Sequence, residues 1–118
     1  KDFDYKTIKT YEDAVKARKV DDDDIIYPTD HPHIVAYKKI CHIIKVINNG
    51  WVPNWSDNNQ RKYFPYFRVS PSGSGFSASD CDFGYAVTYV GSRLLTDSSE
   101  KALYLANQFQ DLYVQYLL

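Results

Sequence analysis

A chain of 118 residues, 44% hydrophobic and 25% charged, has the length for one domain with one hydrophobic core and a composition that excludes disorder. Its net charge of −1 excludes a whole-molecule field that would draw it to DNA or to acidic membranes. No apolar run approaches the roughly 20 residues of a membrane span, so no membrane association is expected.

The charge is unevenly spread. Residues 1–30 carry six basic and nine acidic side chains, residues 31–70 six and one, and residues 71–118 two and five. The only two cysteines, Cys41 and Cys81, lack CxxC or disulfide-dense spacing and read as free thiols in a reducing, cytoplasmic setting. The chain opens on Lys1 and holds no methionine, so a trimmed start is expected.

Thr10 before Tyr11-Glu12-Asp13 is an N-cap followed by acidic side chains, where the helix dipole favours them. It predicts a short helix over about Tyr11 to Lys19, with Ala14, Val15 and Ala17 inward. Asp21 to Asp24 repel one another and suit a solvated loop. They lack the alternate spacing and central glycine of a calcium loop.

Pro32 in a first turn, capping-type Asp30 and the Asn48-Asn49-Gly50 stop bracket a long second helix. Ala36, Tyr37, Ile40, Ile43, Ile44 and Ile47 form its buried stripe, while Lys38, Lys39, His42 and Lys45 fall on the other side. From Arg61 the pattern turns to strands: Arg61 to Val69, demoted to an edge or bulged strand by Pro65, then Phe76 to Ser79, Phe83 to Val90 and Ser92 to Thr96. Ser70 to Gly75 reads as a turn.

Asp97 with Glu100 resembles a capping box that opens a final helix. Its apolar face is Ala102, Leu105, Ala106, Phe109, Leu112, Tyr113, Tyr116 and Leu117. The expected fold is a single α+β domain over residues 1–118. An antiparallel three- to four-stranded β-meander packs against two long helices, with a short N-terminal helix.

Little here reads as chemistry. His31 and His33 with Asp30 are metal-type donors, but their place in a loop and first turn predicts exposed side chains and no metal site. Cys41 and His42 are helix neighbours about 100° apart and share no hydrogen bond through adjacency, which predicts a buried structural cysteine and a surface histidine. Cys81 has Asp80 and Asp82 beside it, the wrong charge to activate a thiol. Ser72-Gly73-Ser74-Gly75 lacks the Lys-Ser/Thr of a phosphate loop. The reading is a non-enzyme without cofactor.

The informative block is Trp51-Val52-Pro53-Asn54-Trp55 through Tyr66-Phe67, where the positive charge and the aromatics coincide. As a protein-contact surface it offers Trp51, Trp55, Phe64 and Tyr66 as anchors. As a single-stranded nucleic-acid platform it offers the same rings with Arg61, Lys62, Arg68 and Arg93. On a strand, Lys62, Phe64, Tyr66 and Arg68 share one face and Arg61, Tyr63 and Phe67 the other. Either the first is an open stacking face and the second the core face, or both are covered and the tryptophans plug the end of the core.

Several strings resemble a family of small proteins encoded by phages, prophages and gut-metagenome sequences of Bacteroides and its relatives. They are Gly50-Trp51-Val52-Pro53-Asn54-Trp55, Gln60 with Lys62-Tyr63-Phe64-Pro65-Tyr66-Phe67, Val90-Gly91-Ser92-Arg93-Leu94, and Ala102 with Tyr104, Ala106, Gln108-Phe109 and Asp111-Leu112-Tyr113. Phe3-Asp4-Tyr5 and Ile8 to Ala14 fit as well, so the likeness spans most of the chain. Leu95-Thr96-Asp97 departs from the Cys-aromatic-Lys run common there, and the acidic loop is richer in aspartate. The resemblance implies a phage-type origin and an accessory role that works by binding. It supplies no mechanism.

Overall fold

The computed structural model describes residues 3–69, 76–85 and 90–118. Their regular elements are α1 (Tyr11–Ala17), α2 (Pro32–Asn48), β1 (Lys62–Val69), β2 (Phe76–Gly84), α3 (Ser99–Gln108) and α4 (Gln110–Leu117). Single 3-10 turns lie at Tyr5–Thr7, Asp22–Asp24 and Ser92–Leu94.

The N-terminal helix forms as its cap predicts. Thr10 Oγ1 accepts from the Asp13 amide at 3.0 Å, and the Asp13 carboxylate accepts from the Thr10 amide at 3.2 Å. These bonds satisfy amides that the first helical turn leaves without partners. Ala14 is fully buried, but Val15 is exposed and does not face the core as expected.

α2 is the centre of the core. It runs between the expected signals, with Asn49 in the left-handed region (φ 49°) just past its end. Ile40, Ile43, Ile44 and Ile47 are buried as the stripe requires. So are Cys41, His42, Val46 and Asn48, because α1, α4 and the turns at Asp22–Asp24 and Ser92–Leu94 close around the helix. His42 is therefore no surface residue. One ring nitrogen, Nε2, lies 3.2 Å from the Ala14 carbonyl oxygen, and the Tyr11 ring meets the imidazole edge-on at 6.0 Å. Asp30 does not cap α2. Its carboxylate accepts from the Tyr27 amide at 2.8 Å and from Lys38 Nζ at 2.7 Å.

The meander is corrected by the structure. Among the described residues the sheet has two antiparallel strands, β1 and β2, and the α-helices number four, with α3 packed most extensively on the sheet. The separate strands expected over Phe76 to Ser79 and from Phe83 onward are one strand, and residues 86–89 lie outside the described residues, as does the Ser70 to Gly75 turn. Ser92 to Thr96 contributes one bridge: Tyr63 and Thr96 exchange both backbone hydrogen bonds at 2.9 Å. Gly91 (φ 79°) turns the chain into the 3-10 turn there, and Leu94 and Leu95 both point into the core. Two consecutive inward side chains are incompatible with strand alternation.

The final helix is also not continuous. It breaks at Phe109 (φ −115°, ψ 30°), which ends α3 and opens α4. Phe109 is buried at the joint. α3 lies against the sheet, while α4 packs along α2 and sets Tyr113 against Phe67, ring centroids 4.9 Å apart. The cap of α3 is Ser98, whose hydroxyl accepts from the Lys101 amide at 3.2 Å. Asp97 pairs with the Lys101 ammonium at 3.0 Å instead.

Candidate binding groove

The segment after α2 leaves the helix through Asn49 and Gly50, both at positive φ, and cannot continue as a helix past Pro53. It folds back through short local bonds. The Asn54 amide donates to Gln60 Oε1 at 2.6 Å, the Ser56 amide to Asn54 Oδ1 at 3.0 Å and the Asn59 amide to Asp57 Oδ1 at 2.9 Å. Asn54 and Asp57 act here as turn formers whose side chains replace backbone acceptors.

Two further contacts fix the Trp55 indole. Its Nε1–H donates to Ser92 Oγ at 2.9 Å, and the Lys62 ammonium lies 4.9 Å from its ring centroid. Lys62 is 1% exposed, which favours the covered face over the open one. Its Nζ donates to the carbonyls of Gln60 (3.1 Å), Asp57 (3.5 Å) and Tyr85. These carbonyls replace the water that burial removes from the ammonium, so Lys62 ties the loop to the end of β2.

The loop and α2 then enclose a groove of about 300 Å³. Trp51, Val52, Pro53 and Trp55 wall it, Ile44 and Asn48 floor it, and Lys45, Ser92 and Arg93 stand along its side. Val52 is 72% exposed and Trp55 36%. Asn48 Nδ2 donates to the Leu95 carbonyl at 2.9 Å, leaving Oδ1 buried without a partner among the described residues. A second cavity continues past Trp51 and Val52 to Gly50, Arg18 and Asp21.

The acidic loop borders this surface and is only partly solvated. Lys45 Nζ contacts Asp24 Oδ2 at 2.6 Å and Asp21 Oδ2 at 3.0 Å, and Asp24 is buried. Partial burial pulls the Lys45 ammonium down, but the bonds it donates to Asp24 and Asp21 outweigh this and hold it above the usual lysine range. Lys45 and then Arg18 hold the Asp21 carboxyl below the usual carboxylate range. Asp23 lies 3.8 Å from Arg93.

The other expected residues do not gather here. Phe64 is buried and lines an apolar cavity of about 270 Å³ with Phe67, Tyr113 and Leu117. Tyr66 is 44% exposed. Arg68 lies in β1 opposite Ser77, its side chain outside the description. Arg61 sits with its guanidinium carbon 4.7 Å from the Phe83 ring centroid and donates from Nε to the Tyr85 hydroxyl at 3.2 Å. Phe83, opposite Tyr63 in the ladder, and Tyr85 are both more than a third exposed. Neither was expected at a site. Their signal is the alternate spacing around Gly84, which puts two rings on one face.

Cys41 is buried, and that burial pushes its thiol up to about 11. The exposed rings of His31 and His33 stack at 6.0 Å. Among the described residues no three His, Cys, Asp or Glu side chains converge as a metal site, and no helix is long and apolar enough to cross a membrane. No protein-family model, curated protein or solved structure matches the chain.

Proposed function

We propose that this chain is a small non-catalytic binding protein of phage or prophage origin that acts in the host cytoplasm or on the virion by protein contact. The origin rests on the resemblance of the Trp51 to Phe67 string and its companions. The contact rests on the groove walled by Trp51, Val52, Pro53 and Trp55, an apolar surface with part of its indole area open. Aromatic side chains held rigid beside a cavity are the usual anchors of protein interfaces.

A single-stranded nucleic-acid reading draws on the exposed rings of Phe83 and Tyr85 beside Arg61. The cations argue against it. Lys62 is turned inward onto carbonyls, Arg61 is engaged with Phe83 and Tyr85, and the exposed Asp23 lies 3.8 Å from Arg93 at the side of the groove. Phosphate binding needs several free cations acting together.

Affinity capture from a Bacteroides lysate with the wild-type chain and with Val52→Asp tests the proposal. Val52 is 72% exposed, so its replacement should leave the melting temperature unchanged. A protein held by the wild type and lost from Val52→Asp is expected. Capture that is indifferent to the substitution contradicts it.

A further inference from the structure

The groove's charges indicate what kind of segment fills it. Lys45 is committed to Asp24 and Asp21, Lys62 to backbone carbonyls, and Arg18 to Asp21 at 3.2 Å. Arg93 differs. It makes no hydrogen bond among the described residues, its nearest carboxylate is 3.8 Å away, and its side chain is 56% exposed. Its planar fork of N–H donors matches one carboxylate, bidentately. It lies beside a cavity of about 300 Å³, large enough for one bulky side chain and walled by two indoles.

We infer that the groove takes an extended peptide segment of the partner. A large apolar or aromatic side chain seats between Trp51 and Trp55, and an adjacent Asp or Glu pairs with Arg93. A single carboxylate displaces the weak Asp23 contact, whereas a polyanion meets both the exposed Asp23 and Asp21, which lines the adjoining cavity. The inference rests on the protein-contact reading.

A displayed library of random dodecapeptides, selected against the wild type, Arg93→Glu and Val52→Asp, tests it. The wild type is expected to enrich a bulky apolar residue next to an acid, and Arg93→Glu the same residue next to a lysine or arginine. Arg93→Gln, which keeps the stem and removes only the charge, weakens the selected acidic peptide roughly tenfold in a tryptophan-fluorescence titration. One consensus shared by the wild type and Arg93→Glu, or a basic or proline flank on the wild type, overturns the acidic pairing alone. No enrichment, or peptides that bind Val52→Asp equally well, overturns the protein-contact reading itself.

Discussion

Replacing Lys62 by methionine removes one ammonium while keeping an unbranched stem of similar volume in the same space. The wild-type side chain gives hydrogen bonds to the Gln60 and Tyr85 carbonyls, a marginal one to Asp57, and a contact with the Trp55 ring. Hydrogen bonds from charged donors are worth roughly 1.5–3 kcal/mol each and the ring contact about 0.5–2 kcal/mol. Against this, an ammonium 1% exposed has lost its hydration, at a cost of several kcal/mol. The balance is a destabilisation of about 2 kcal/mol, or roughly 8 °C in Tm for a chain of this size. Thermal melts followed by far-UV circular dichroism read the stability, and tryptophan emission reads the loop. Lys62→Met should melt lower, with red-shifted emission as Trp55 is released. A variant as stable as the wild type, with unchanged emission, refutes the idea that Lys62 holds the groove together.

Two further outcomes follow from the titrating groups. Cys41 is buried and its thiol stands near 11, while Cys81 is half-buried. A thiol reagent at neutral pH should therefore modify Cys81 alone in the folded chain and both cysteines in denaturant. Rapid modification of Cys41 in the native state contradicts its placement. Asp13, Asp21 and Asp30 are each held below the usual carboxylate range, chiefly by the Lys9 amide, by Lys45 and by Lys38 respectively. Because their folded values lie below their unfolded ones, they stabilise the fold above the unfolded value of about 3.9 and lose that contribution as pH falls through the folded values. Denaturant melts should show little change from these groups between pH 5 and 7 and a decline below about pH 4. A rise in stability on acidification over that range refutes the assignment.

Much of the architecture was legible because strong local signals agreed with burial. α2 carries its own start, stop and isoleucine stripe, and Thr10 caps α1 as its place predicts, with Asp13 closing a reciprocal box where the sequence alone reads only a dipole charge. What failed depended on tertiary partners. The flank of α2 that α1 covers is not written in α2, so His42 reads as polar and exposed although it is buried. Lys62 sits in an aromatic-basic alternation that allows an open or a covered face, and only the return of Tyr85 and the 57–60 loop shows why it turns inward. The break at Phe109 has no proline or glycine to announce it. Of the expected site, Trp51, Trp55 and Arg93 come together, while Phe64 goes to a separate apolar cavity and Arg61 to Phe83 and Tyr85.

The central claim is that the aromatic-basic block forms a protein-contact groove whose neighbouring cations are largely committed within the fold. Titration of the folded protein with a homothymidine oligonucleotide at low salt, followed by tryptophan fluorescence, tests it most directly. Trp51 and Trp55 are the only tryptophans in the chain, so any stacking there is seen. The account predicts a flat response. Saturable quenching that weakens steeply as salt is raised would place the indoles against bases and cations against phosphates, and would contradict it.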